Sequence, residues 1–337
     1  MPRPNRPGPL ALRATPRPAG VPGGWVLRKF RRTVDEIASS GLPDVDLKLL
    51  QRCLEDFVQA FKTLAPYRGK PKVTIFGSAR TPTDHPAFRQ AESFAREISR
   101  RGYLVITGAG GGIMEAGHRG AGRDKSIGIN IRLPFEQGAN PVIAGDRKLV
   151  TMKYFFTRKL LFVKETSALV CLPGGFGSQD ETFEVLTLIQ TGKSYPMPVI
   201  LLDAKGGGYW RSWDRFIRRL LLAQGYISEE DVSLYKITDD VGVAVREITD
   251  FYKVYHSLRY VGDTLVLRLK RAPSRALVRS LNDEFRDILT DGSIEPTAPL
   301  PEEASEPSLE RLPRLRLQFD RIHSGRLRRL IDRINRG

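Results

Sequence analysis

Residues 168–181 read ALVCLPGGFGSQDE, from Ala168 to Glu181. The apolar run Ala168–Leu172 leads into Pro173-Gly174-Gly175-Phe176-Gly177, and a helical pattern runs from Ser178 to Thr191. A short, wholly apolar run is what a strand covered on both faces requires. Glycines let the backbone come close to an anion, and the first N–H groups of the next helix lack partners within it. The stretch therefore predicts strand, anion-binding turn and helix in succession.

Working outward, the same unit repeats. Strands are predicted over Lys72–Phe76, Tyr103–Thr107, Ser126–Asn130 and Val199–Leu202. Helices are predicted over Pro86–Arg101, Ile113–Arg123, Tyr154–Glu165 and Trp210–Ala223. This alternation predicts an α/β, Rossmann-like parallel sheet with helices on both faces, over residues 71–254. Ligands of such sheets bind beyond the carboxyl ends of the strands. Two further glycine loops fall there: Gly77-Ser78-Ala79-Arg80, and Gly108-Ala109-Gly110-Gly111-Gly112 before Ile113. One glycine loop is common architecture; three on one sheet edge predict a phosphate site. Its candidate residues are Gly77, Ser78, Gly110, Gly111, Gly112, Gly174, Gly175, Gly177 and Ser178.

Two familiar nucleotide motifs fail. A dinucleotide fingerprint would need glycine at Ile113 and an acid closing the next strand, which ends at Asn130. Gly192-Lys193-Ser194 imitates the end of a Walker A loop, but Thr187 stands where the earlier glycine belongs, and the segment follows a helix rather than preceding one.

The nine residues Pro173–Glu181 resemble the P-G-G-x-G-T-x-x-E motif of the LOG family, long labelled lysine decarboxylases. Arg158-Lys159 resembles that family's Arg-Lys pair, and Gly108–Ala116 its glycine-rich loop; the resemblance covers roughly residues 71–250. It implies a nucleoside 5′-monophosphate phosphoribohydrolase, acting on AMP or a cytokinin riboside monophosphate. It also implies that Glu181 and Arg158 are the catalytic pair, with Lys159 beside the substrate, and that the protein is a homodimer. Ser178 replaces the usual Thr but keeps the hydroxyl, and Phe155-Phe156-Thr157 replaces the Met-His of the small plant-type enzymes, which bears on base preference more than on reaction. The chemistry fits: a carboxylate can stabilise positive charge building on ribose and activate water, without metal or organic cofactor.

Competing readings attach to the same residues. Ser178-x-x-Glu181 is also a capping box, Arg158-Lys159 could be a solvated helix face, His118 an ordinary helix residue, and Cys171 a core residue. A protein resembling the molybdenum-cofactor carriers would hold a phosphorylated ligand without cleaving it, and would need no carboxylate near the ribose.

The net charge of +16 suggests nucleic acid, but it sits at the ends. Residues 1–32 hold eight basic residues and no acid, and residues 311–337 hold nine Arg against Asp320 and Asp332. A near-neutral centre argues against nucleic acid as a partner, and basic ends are usually solvated. No stretch is apolar enough to span a membrane. Two cysteines, four scattered histidines and no export signal predict a cytoplasmic protein without disulfides or metal.

Outside the central domain, residues 1–24, with seven prolines, predict a disordered basic tail, and 25–70 a helical segment. Residues 255–337 predict a small α+β appendage: strand Asp263–Lys270, helix Ser274–Leu289, a solvated linker over 291–310, strand Leu315–Phe319 and helix Ser324–Asn335. Helix Tyr154–Glu165 carries Tyr154, Phe155, Phe156, Leu160, Leu161 and Phe162, apolar on more than one face, as expected of a helix at a subunit interface.

Overall fold

The computed structural model describes residues 24–132 and 138–337. The expected basic tail lies outside the described residues, save Gly24, which opens helix α1 (Gly24–Ser39). A second helix, α2 (Asp44–Leu64), follows. α1 buries no side chain, whereas α2 seats Asp56, Ala60 and Leu64 against the central domain.

That domain is built on strands β1 (Lys72–Phe76), β2 (Leu104–Thr107), β3 (Ser126–Ile131), β4 (Leu149–Met152), β5 (Ala168–Cys171), β6 (Val199–Leu202) and β7 (Lys236–Thr238). They form one parallel sheet in the order β4-β3-β2-β1-β5-β6-β7. Intervening helices are α3 (Pro86–Arg100), α4 (Ile113–Ala121), α5 (Phe155–Glu165), α6 (Phe176–Gln190), α7 (Tyr209–Phe216) and α8 (Val241–Phe251). A π-helical turn, Ile217–Leu222, extends α7. Alternation within each strand feeds two cores. Val73, Ile75 and Val170 pack with Phe88 and Phe94 of α3, Ile113 of α4 and Ile248 of α8. Phe76, Leu169 and Cys171 face the other way, toward Leu64, Phe162, Val185 and Trp210. The Rossmann-like α/β expectation is met. The sequence reading overlooked β4 and β7 because each is a short strand at a sheet edge.

The C-terminal region departs from expectation. Strands β8 (Tyr255–Val261), β9 (Thr264–Leu269), β10 (Leu289–Thr297) and β11 (Arg314–Phe319) make an antiparallel sheet in the order β10-β11-β9-β8. Helices α9 (Arg275–Glu284) and α10 (Ser324–Arg336) cover it. The appendage therefore has four strands where two were expected, and 291–310 is no solvated linker. Residues 289–297 form an edge strand, where Pro296 interrupts the ladder at least cost. Ile294 is buried, bracketed by both amide atoms of Asn282. Glu303 is buried too, accepting from Arg268 Nε at 2.7 Å and Arg314 Nε at 3.0 Å. An acid-rich composition reads as solvated only until arginines of other strands are seen to pair with it.

The same pairing corrects the view of the C-terminal arginines as a solvated basic end. Arg314 and Arg328 are buried, and Arg328 binds Glu247 of α8 and Asp332. Asn335 ties α10 to the central domain, accepting from the N–H groups of Val254 and Tyr255 and donating to the Phe251 carbonyl. Among the described residues, no helix is long and apolar enough to cross a membrane.

Candidate active site

Strands β2, β1 and β5 are neighbours in the sheet, so the loops leaving their carboxyl ends meet. Ser78 N–H donates to the Pro173 carbonyl at 3.2 Å, and Ile113 N–H donates to the Ser78 carbonyl at 3.0 Å. Gly77, Ser78, Gly110, Gly111, Gly112, Gly174, Gly175, Gly177 and Ser178 thus gather at one edge. Glycine is obligatory at Gly112: its φ is +59°, and a Cβ would lie 2.3 Å from the Ser78 oxygen. A Cβ on Gly174 would lie 2.1 Å from Ser178 Oγ.

Helix α6 starts at Phe176, two residues before the expected start, with Gly175 as its uncapped N-cap. Ser178 is therefore inside the first turn, and the capping-box reading of Ser178 and Glu181 fails. The leading N–H groups of α6 keep their donor capacity for a ligand beside Gly175 and Gly177, both exposed. The exposed ring of Phe176 stands beside them.

Glu181 is buried one turn into α6, and its Oε2 has no hydrogen-bond partner among the described residues. Burial pushes its pKa up to about 7; Lys159 and Arg158 pull it down, while Glu184 and Asp180 push it further up. A carboxyl poised near neutrality can both take and give a proton.

Arg158 and Lys159 lie on α5, whose first turn is fixed from α2. Asp56 accepts from Lys153 N–H and the Thr157 hydroxyl, each at 3.0 Å. Arg158 Nε donates to the Ile129 carbonyl at 2.9 Å, and its Nη2 reaches the Gly108 carbonyl at 3.4 Å. Its guanidinium covers the Phe162 ring at 5.1 Å. Arg158 is thus no solvated helix residue; it is carried to the glycine loop. Lys159, expected beside the substrate, turns to carboxylates: Glu184 at 2.6 Å, Asp180 at 2.9 Å and Glu181 at 3.4 Å. Burial alone would lower its pKa, but these partners hold it raised.

Several residues that build the site escaped the sequence reading. Asn140 N–H and Nδ2 both hold the Ala109 carbonyl, and Nδ2 also reaches the Gly110 carbonyl at 3.0 Å. They hold Ala109 at φ +65°, a conformation costly for a non-glycine residue. His118 supports this network from below, contacting Thr107 Oγ1 and the Ile127 carbonyl. Burial lowers its pKa, which keeps the ring neutral. Tyr209 Oη donates to the Gly174 carbonyl at 2.5 Å and accepts from Gln179 Nε2. No local signal marks Asn140 or Tyr209, because each acts on a loop at least 30 residues away. Cys171 is buried, its thiol pKa pushed up to about 12 by burial, as a core residue should be.

Residues 111–248 match a family model described as "Possible lysine decarboxylase". The central domain is similar to this LOG-like family over those residues. Similar solved structures include TM1055, 24% identical over 53% of this chain and 98% of that one, TM-score 0.38. The molybdenum cofactor carrier protein of Chlamydomonas reinhardtii is 20% identical over 53% of this chain and 96% of its own, TM-score 0.38. The molybdenum cofactor binding protein of Rippkaea orientalis is 18% identical with the same coverages and TM-score. No curated protein sequence matches the chain. The LOG-like match begins inside the second glycine loop and takes in Arg158, Lys159 and the whole Pro173–Glu181 motif.

Proposed function

We propose that this chain hydrolyses the N-glycosidic bond of nucleoside 5′-monophosphates, AMP being the first candidate, to free base and ribose 5-phosphate. The reading rests on one observation above others: Glu181, a buried carboxyl with an oxygen unbonded among the described residues and a pKa pushed up to about 7, one turn beyond an uncapped glycine loop. The loop and the α6 N-terminus take the 5′-phosphate, where the helix dipole favours an anion. Phosphate binding remote from the scissile bond orients the ribose. As the C1′–N bond breaks, its electron pair leaves with the base. A water oxygen bonds C1′, Glu181 takes that water's proton, and the base gains one from solvent. Arg158, held between Ile129 and Gly108, brings its positive charge to the glycine loop, where a ribose or phosphate oxygen would lie.

Incubating the protein with a panel of nucleoside monophosphates and separating the products tests this. Free base and ribose 5-phosphate are expected. Tight binding of a nucleotide without release of base would make the protein a carrier. A homodimer and a cytoplasmic setting belong to the same proposal. The support for the dimer is α5, where Phe155 and Phe156 stay about half exposed.

A further inference from the structure

Lys159 is the nearest cation to Glu181, yet it is bonded elsewhere. Its ammonium donates to Glu184 Oε2 at 2.6 Å and lies 2.9 Å from Asp180 Oδ2, while Glu181 Oε2 is 3.4 Å away and receives no hydrogen bond among the described residues. Asp180 and Glu184 are four residues apart on α6, so they share a helix face and bracket the ammonium.

We propose that Glu184, assisted by Asp180, is a positioning residue that holds Lys159 off Glu181 and so keeps the Glu181 carboxyl able to exchange a proton. An ammonium bonded directly to a buried carboxylate would fix it in the ionised form, and a group so fixed is a poor proton carrier. With two acids already bonded to its ammonium, Lys159 acts on Glu181 through its charge at 3.4 Å and not through a hydrogen bond. The catalytic consequence rests on the hydrolase reading; the electrostatic relationship does not.

Among the described residues, the charged and titratable groups facing Glu181 are Lys159 and Arg158 from α5, Asp180 and Glu184 from α6, and the neutral Cys171 thiol from β5. Glu184→Gln removes a negative neighbour and frees Lys159 to close on Glu181. Both changes lower the proton affinity of Glu181. Lys159→Met removes the cation and must raise it. Opposite shifts from two partners of one ion pair are not what a purely structural role would give.

The test uses the full-length chain labelled with carboxyl-13C glutamate, the Glu181 resonance being identified by its loss in Glu181→Gln. Its titration midpoint should fall by about one pH unit or more in Glu184→Gln, a tenfold change in proton affinity, and should rise in Lys159→Met. The acid limb of kcat for AMP should move with the midpoint while KM stays within a few-fold. A midpoint unmoved or raised in Glu184→Gln, with the fold intact by circular dichroism, overturns the proposal. So does a moved midpoint with an unmoved kcat limb. If the midpoints move as expected but no nucleotide is hydrolysed, the Lys159 relationship stands and the hydrolase reading falls.

Discussion

Asp56 on α2 and Thr157 on α5 are 101 residues apart, yet the Thr157 hydroxyl donates to the Asp56 carboxylate at 3.0 Å inside the protein. The next residue is Arg158, so an N-terminal helix outside the LOG-like match sets the turn that delivers a catalytic candidate. Replacing Asp56 with Ala strands the Lys153 N–H and the Thr157 hydroxyl. Loss of such charge-assisted bonds costs about 1.5–3 kcal/mol, and a displaced Arg158 should lower kcat/KM at least about tenfold. Asp56→Asn, which keeps an acceptor, should recover most of both. Thermal melts and AMP turnover on the pair give the answer; normal turnover by a folded Asp56→Ala protein would confine Asp56 to a stabilising role.

Glu181→Gln removes the charge and keeps the shape. We expect kcat to fall roughly 10²- to 10⁴-fold, the range for a lost acid–base group, with nucleotide binding retained. The stability change has a defined sign. The folded pKa of Glu181, about 7, lies above the ordinary 4.5. The folded state thus holds a proton that the unfolded state releases between those values. Its stabilising contribution is complete below pH 4.5 and is lost as pH rises through 7. The melting temperature of Glu181→Gln relative to the parent should therefore climb over that window. A flat difference would show that Glu181 titrates normally.

Selectivity for the 5′-monophosphate should be strict. The leading N–H groups of α6 offer donors to a phosphate that a nucleoside lacks. Under matched conditions kcat/KM for adenosine should be orders of magnitude below that for AMP. Equal values would remove the glycine loops from substrate binding.

A homodimer is expected in solution. Trp25, Phe30 and Val34 of α1, Leu50 and Leu54 of α2, and Phe155 and Phe156 of α5 all remain largely exposed in the single chain. Large apolar side chains left exposed on three helices support association. Light scattering at micromolar concentration should return about twice the 37.8 kDa of one chain; a monomer would refute the expectation.

The sequence by itself determined the sheet and the loops. Runs such as Lys72–Phe76 and Ala168–Leu172 can be stable only when buried on both faces, and glycines after them are a local demand of the backbone. Both properties are written in neighbouring residues, so they could be read directly. Pro173–Glu181 likewise carries its meaning within nine positions. The tertiary structure decided everything that depends on a partner distant in the chain. Glu303 in a proline- and acid-rich stretch reads as solvated, until Arg268 and Arg314 arrive from two strands. Ser178 and Glu181 spell a capping box, until α6 is seen to begin at Phe176 and leave Glu181 buried without that bond. Lys159 reads as a cation for phosphate, until the α6 helix places Glu184 nearer to it than any ligand loop. Charge and burial are properties of surroundings, and the surroundings of a side chain are assembled only when the chain folds.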